Sequence, residues 1–224
     1  LKTNMRFLIL GFAVGFVSLV IVLVVAIAAQ GRTLFFDHSW GKVVKHLVNA
    51  GSAAIVVGPV EELLFRGGLF GVIRKQHGWK TALAVSSLIY SAVHFMDRAT
   101  WPGPVTWSSG LFIVWKMLTG TADLSVVVPK FVTLTTAGVV LGLAYYWMGH
   151  LWFSIGLHAG WIFWVKSYGF VTRPVEGSAI WIWGSNRLVD GWLAAGVMLA
   201  ILALLLANRW YHLRLDAQNA ARRV

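Results

Sequence analysis

Long apolar runs without charged residues constrain this chain more than any other feature of its sequence. The first run covers residues 7–29, about 23 residues, which is enough to cross a bilayer as a helix. Another run covers residues 191–207 and is followed by a basic tail. Backbone groups in hydrocarbon need partners within the protein, and no segment alternates as a barrel strand does. Each run is therefore predicted to be a helix.

Four further apolar stretches are interrupted by a few polar residues and are also predicted to span the membrane: residues 47–73, 81–96, 131–148 and 151–165. The two-residue gap between the last two predicts a tight helical hairpin. Residues 97–130 fit either an extramembrane loop with an interfacial helix or one weak span. The predicted fold class is all-α: a polytopic transmembrane helix bundle of about six to seven spans. It forms one integral-membrane domain over residues 1–224, expected in the cell membrane.

The composition excludes several other classes of protein. Hydrophobic residues make up 58% of the chain and charged residues 12%, about half the charged share of a soluble domain. The chain has no cysteine, so a disulfide, a thiolate metal site and a cysteine nucleophile are excluded. The net charge is +11, but the basic residues lie between apolar runs, as membrane-flanking anchors do. The expected partner is the lipid bilayer and not nucleic acid.

Glycines spaced four residues apart recur in the predicted spans. This spacing lets the backbones of two helices approach closely. We interpret all four pairs as plain helix packing: Gly11/Gly15, Gly67/Gly71, Gly138/Gly142 and Gly156/Gly160.

Ionisable residues inside predicted spans are the main functional signal. Each costs about 2.5–3.5 kcal/mol at the centre of a membrane helix, so such residues are expected to face the protein interior. Glu62 and Arg66 are four residues apart and can form an ion pair within one helix. Glu61 points about 100° away from Glu62, so the same ion pair does not serve it. Glu61 is therefore a candidate general base, although both carboxylates can instead tether neighbouring helices.

Three of these residues are predicted to meet in one cavity between the helices in the membrane. If the chain turns at residues 74–80, Glu61 and His94 lie at the same depth, about 20 Å from that turn. His158 lies about 12 Å beyond the turn at residues 149–150. The three side chains have the ligand count of catalytic zinc. However, the chain has no His-Glu-x-x-His helix, so zinc is not favoured and no cofactor or metal is expected.

These residues resemble the motifs of the CAAX-protease and bacteriocin-processing family of intramembrane glutamic endopeptidases, also called the Abi family. Glu61-Glu62-x-x-x-Arg66 is similar to the first motif, and Tyr90-x-x-x-His94 is similar to the second, which has Phe in place of Tyr. The segment ending in Gly-Leu-His158-Ala is similar to the third, which usually runs His-x-x-x-Asn. Ile162 stands where the family has Asn. The resemblance covers residues 50–164.

The resemblance implies a peptidase that acts on a hydrophobic or prenylated peptide within the membrane. Glu61 and His94 would activate a water, and His158 would stabilise the oxyanion. Glu62 and Arg66 would give structural support, while two further residues, Tyr90 and Ile162, would line the cavity. The substrate would be the C-terminal tripeptide of a prenylated protein or the leader of a small peptide, and we favour the leader.

Two other functions are open at this point. A catalytically silent membrane protein would use the same cavity to bind hydrophobic peptides, in a regulatory or immunity role. The Ile162 side chain supports that reading, because it supplies no hydrogen bond to an oxyanion. A transporter with a Glu/His proton relay is the third reading. It is weakened because the chain lacks the paired, interrupted segments of inverted repeats.

Overall fold

A computed structural model describes residues 2–95, 104–112 and 124–221 of the chain, and most of them are helical. The predicted all-α class is confirmed. The alternatives for residues 97–130 fall largely on residues 96–103 and 113–123, which lie outside the described part. A helical turn at residues 109–112 is present between these two gaps. The long elements are α1 (Lys2–Ala28), α2 (Trp40–Glu62), a π-helix (Leu63–Phe70), α3 (Gly71–Phe95), α4 (Leu124–Met148), α5 (Trp152–Val171) and α7 (Trp192–Ala221). The short ones are β1 (Arg32–Leu34), β2 (Thr172–Pro174) and α6 (Ile180–Trp183).

Among the described residues, 4 helical segments are long and apolar enough to cross a membrane: Lys2–Ala28, Trp40–His94, Leu124–Met148 and Trp192–Asp216. The second contains 55 residues and is not one straight helix. It turns at Gly78, whose φ is 79°. Glycine adopts such a positive φ readily, whereas other residues are strained there. The predicted turn at residues 74–80 is therefore confirmed. The count of six to seven spans stays a prediction.

Helices α1 and α5 run in the same direction and touch through their backbones. A Cβ on Gly156 would overlap the carbonyl oxygen of Leu8, and a Cβ on Gly15 would overlap the carbonyl oxygen of Leu157. A Cβ on Gly160 would lie 2.7 Å from the carbonyl oxygen of Phe12, which is also too close. Glycine thus permits this contact, which we call the glycine seam, and the packing interpretation of these pairs is confirmed.

The other two glycine pairs behave differently from each other. Gly138 and Gly142 of α4 pack against α3, where added Cβ atoms would lie 3.0 Å from Ser87 and 2.6 Å from Leu83. At Gly67 and Gly71, added Cβ atoms would lie 3.9 Å from the nearest atoms among the described residues, which is an ordinary contact. This pair lies in or beside the π-helix and makes no close backbone contact with another described helix, so the packing interpretation of Gly67/Gly71 stays a prediction.

A buried arginine fastens the ends of α1 and α5 together. Strand β1 follows α1 and pairs antiparallel with β2, which follows α5. The Arg32 side chain is buried and donates hydrogen bonds to the Thr172 hydroxyl at 2.8 Å and the Gly184 carbonyl at 2.9 Å. Its guanidinium lies 4.4 Å from the centre of the Tyr168 ring. These contacts fix the loop after α5 against the end of α1.

The tight hairpin between α4 and α5 brings the two most buried helices side by side. Gly149 takes a φ of 73° in that turn, as a two-residue connection requires. Helix α4 also packs against α3 and α7, and α5 packs against α1 and α2. Helices α2, α3, α4 and α5 therefore surround a common space within the bundle.

Candidate active site

One cavity is lined by the five residues that the sequence analysis assigned to catalysis or to the cavity lining. It has a volume of about 530 Å³ and is lined by residues of helices α1 to α5, of α7 and of the loop before α7. Most of the lining is apolar, and a few polar groups converge on it, as in many ligand sites. The predicted residues that line it are Glu61, Tyr90, His94, His158 and Ile162.

A buried polar cluster stands behind the cavity. Arg66 Nη1 donates to Glu62 Oε1 at 2.9 Å, and Arg66 Nη2 donates to the Gly138 carbonyl at 3.1 Å. The same Glu62 oxygen lies 3.0 Å from Nδ1 of His158. Glu62 is 0% exposed and Arg66 1%, so this carboxylate has no route to a substrate. The cluster joins the π-helix to α4 and α5.

Glu61 faces the cavity, in contrast to its neighbour. Its side chain is 22% exposed, and that of His94 is 30% exposed. Glu61 Oε2 lies 3.5 Å from His94 Nε2 and 3.7 Å from His158 Nε2. Both distances exceed a good hydrogen bond, and Oε2 itself is buried without a hydrogen-bond partner among the described residues. The free carboxylate therefore lies within reach of two imidazoles.

The hydrogen bonds assign the protons on the two imidazoles. His94 Nδ1 lies 2.8 Å from the carbonyl oxygen of Tyr90, which accepts only, so Nδ1 carries a proton. This leaves His94 Nε2 facing Glu61. His158 Nδ1 donates to the Glu62 carboxylate in the same way. The remaining nitrogen of His158, Nε2, lies 3.1 Å from the Tyr90 hydroxyl.

Tyr90 has more contacts than the sequence indicated. The sequence placed it in the cavity lining, whereas the structure places its hydroxyl against His158 and its carbonyl against His94. Its ring packs edge-on against Phe65 at 5.2 Å and lies 4.8 Å from the Arg66 guanidinium. The sequence did contain a signal for these contacts, because Tyr90 stands where the second motif of the family has Phe. The link between Glu62 and His158 was also missed, because the sequence paired Glu62 with Arg66 alone.

Ile162 lies one helical turn beyond His158 on α5 and lines the same cavity. Its side chain adds apolar surface and no hydrogen-bond donor. In the described residues, no group of three or more His, Cys, Asp and Glu side chains is arranged to hold a metal ion. The absence of a cofactor stays a prediction.

The geometry suits the activation of a water molecule. A partly exposed carboxylate can accept a proton, and an imidazole nitrogen faces the same carboxylate oxygen. The buried cluster fixes the orientation of His158, so this group does not need to reorganise when a substrate arrives.

Comparison with known proteins adds one match. The family model described as "Type II CAAX prenyl endopeptidase Rce1-like" matches residues 43–164, more than half of the chain. That range contains all the cavity residues named above and the buried cluster. No curated protein and no solved structure matches the chain.

Proposed function

The chain belongs to the Rce1-like family of type II CAAX prenyl endopeptidases, and from this premise we propose that it is an intramembrane peptidase of the cell membrane. Its substrate is a membrane-associated protein or peptide, and its general base is Glu61. The observation that carries the proposal is the convergence of the Glu61 carboxylate with His94 and His158 on one cavity between the helices.

The reaction begins with a water held between Glu61 and His94. Glu61 takes one proton from this water while the water oxygen attacks the carbonyl carbon of the scissile peptide bond. The π electrons of the carbonyl move to its oxygen, which becomes an oxyanion. When the tetrahedral intermediate collapses, the C–N bond breaks and the protonated Glu61 returns its proton to the leaving amine. General acid–base catalysis of this kind contributes about 10²–10⁴-fold in rate.

The buried cluster supports this chemistry without taking part in proton removal. Glu62 is enclosed and paired with both Arg66 and His158, so it holds the imidazole in one orientation. One carboxylate thus removes the proton, and its neighbour holds the site together.

The charges around the cavity support a substrate that ends in a free carboxylate. Lys130, Lys166 and Arg187 line the same cavity as Glu61. The last three residues of an extended peptide span about 10 Å, so its C-terminal carboxylate can meet a cation while the scissile bond is elsewhere in the cavity. This favours the C-terminal tripeptide of a prenylated protein as the substrate. The sequence analysis favoured the other candidate, the leader of a small peptide.

The test uses the full chain in liposomes with quenched fluorescent peptides. A farnesylated peptide with a free C-terminal carboxylate is compared with its C-terminal amide and with a hydrophobic leader peptide. We expect cleavage of the free acid, at least about tenfold slower cleavage of the amide, and no cleavage by Glu61→Gln. Preferred cleavage of the leader peptide would restore the alternative substrate.

A catalytically silent, peptide-binding protein is the second candidate. It is favoured by Ile162, which supplies no donor to an oxyanion in a cavity that otherwise matches the peptidase reading. If none of the peptides is cleaved but the farnesylated peptide binds in the cavity, the protein is a catalytically silent peptide-binding protein and not a peptidase.

A further inference from the structure

The proposed function does not identify the group that donates a hydrogen bond to the oxyanion. Ile162 offers no donor, and both nitrogens of His158 already have partners within hydrogen-bond distance. Its Nδ1 faces the buried carboxylate of Glu62, and its Nε2 faces a hydroxyl. The hydroxyl that faces Nε2 belongs to Tyr90, which is itself one of the residues that line the cavity.

Three contacts hold this hydroxyl in place. The Tyr90 ring is 3% exposed and is enclosed by Phe65 and the Arg66 guanidinium. Its own oxygen lies 3.1 Å from His158 Nε2. A hydroxyl has one proton to donate and two lone pairs to accept with. When His158 carries both protons, Nε2–H donates to the Tyr90 oxygen, and the Tyr90 O–H is directed elsewhere.

We propose that the Tyr90 hydroxyl is the oxyanion donor of this peptidase, in the role that the Ile162 position does not fill. The inference rests on the proposed function. The hydrogen bonds then run from Glu62 through His158 and Tyr90 to the oxyanion. His158 acts on the oxyanion through Tyr90 and not by direct contact.

The step requires that His158 already carries both protons, so that the Tyr90 O–H is available, and the only proton it transfers is that of the water. Water gives its proton to Glu61, its oxygen bonds to the carbonyl carbon, and the carbonyl π pair becomes the oxyanion. Tyr90 O–H donates a hydrogen bond to that oxygen and keeps its proton throughout. When the C–N bond breaks, the electron pair returns to the carbonyl, and the amine leaves with the proton from Glu61.

Two other polar side chains on α4 line the cavity and are candidates for the same role. The Thr133 hydroxyl donates to the carbonyl of Pro129 at 2.7 Å, within its own helix. Lys130 also lines the cavity, at a position where its charge can meet a substrate carboxylate instead. The test therefore compares Tyr90→Phe with Lys130→Met.

Tyr90→Phe removes the hydroxyl and keeps the ring contacts. We expect kcat to fall by about 10²–10³-fold, the effect of one lost oxyanion donor, with KM nearly unchanged. Tyr146→Phe is the matched control, because this tyrosine stacks on Trp79 away from the cavity and should keep full activity. Lys130→Met should mainly raise KM for the peptide with a free carboxylate.

Adding Ile162→Asn to Tyr90→Phe provides the decisive measurement. The amide places a donor one turn beyond His158, so kcat should recover by at least about tenfold. If kcat is unchanged in Tyr90→Phe, the inference is overturned, while the proposed function as a peptidase still stands. A fall that Ile162→Asn does not reverse assigns Tyr90 to the positioning of His158 and also overturns it. If the unaltered protein cleaves no peptide, the proposed function itself fails and the inference fails with it.

Discussion

The two faces of helix α5 are built on opposite principles. One face carries Gly156 and Gly160, which bring its backbone against α1 without intervening side chains. The other face carries His158 and Ile162, which look into a cavity of about 530 Å³. The seam maximises contact, whereas the cavity face leaves space and keeps charged groups near it. A close helix crossing thus holds in place the face of α5 that lines the candidate site and is incompletely packed.

The same division separates Glu61 from Glu62. Glu62 is fully enclosed and contacts Arg66 and His158, so it belongs with the packed parts of the molecule. Glu61 is partly exposed at the cavity and has longer contacts. The comparison therefore predicts that variants fall into two groups: those that remove activity and spare stability, and those that do the reverse.

Glu61→Gln should have the largest effect on activity. Gln keeps the shape of the side chain but does not accept the proton of water, so cleavage should fall by at least about 10²–10⁴-fold. The melting temperature in detergent should stay close to that of the unaltered protein. A loss of stability equal to that of Glu62→Gln, with cleavage retained, would place Glu61 among the packed residues and contradict this comparison.

Glu62→Gln should have the largest effect on stability. The substitution leaves the Arg66 guanidinium buried without its carboxylate and weakens the bond to His158. Breaking a buried ion pair by removing one partner costs about 3–5 kcal/mol. Unfolding in a denaturing detergent, compared with Glu61→Gln as the matched variant, measures the difference. A stability equal to that of Glu61→Gln would show that burial does not separate the two carboxylates.

Gly156→Leu tests the seam alone. A side chain at this position collides with the backbone of α1 at Leu8, which no rotamer relieves. We expect a loss of about 1–3 kcal/mol, the usual cost of overpacking in a dense contact. Gly196→Leu on α7 is the control, because a Cβ there meets no described atom within 4 Å. Equal behaviour of the two variants would mean that α1 and α5 separate easily.

The sequence predicted the elements that depend on local pattern. The apolar runs, the turn at Gly78 and the hairpin at Gly149 follow from residue type and spacing along the chain. The π-helix was not predicted, because a shift of backbone hydrogen bonds by one residue leaves no periodic signal. The burial of Arg32 was not predicted either, since its partners Thr172 and Gly184 lie more than one hundred residues away.

The candidate site divides in the same way. Glu61, His94 and His158 stood out because ionisable groups are costly within apolar runs. Estimates of depth placed them at compatible levels, but they did not give the rotation of α5 about its axis. That rotation directs His158 Nδ1 to Glu62 and Nε2 to Tyr90. The hydrogen bonds among these three residues were therefore beyond the reach of spacing arguments.

Removal of metal ions should have the smallest effect, and it probes the cavity face without changing the seam. In the proposed mechanism the Glu61 carboxylate removes the proton from water, so a strong zinc chelator should leave cleavage unchanged. The melting temperature should also stay constant, because the buried contacts of Glu62 are made by Arg66 and His158. The measurement is the cleavage rate of the farnesylated peptide before and after dialysis against chelator. Loss of cleavage that zinc restores would make Glu61, His94 and His158 metal ligands, since catalytic zinc takes three protein ligands and a water.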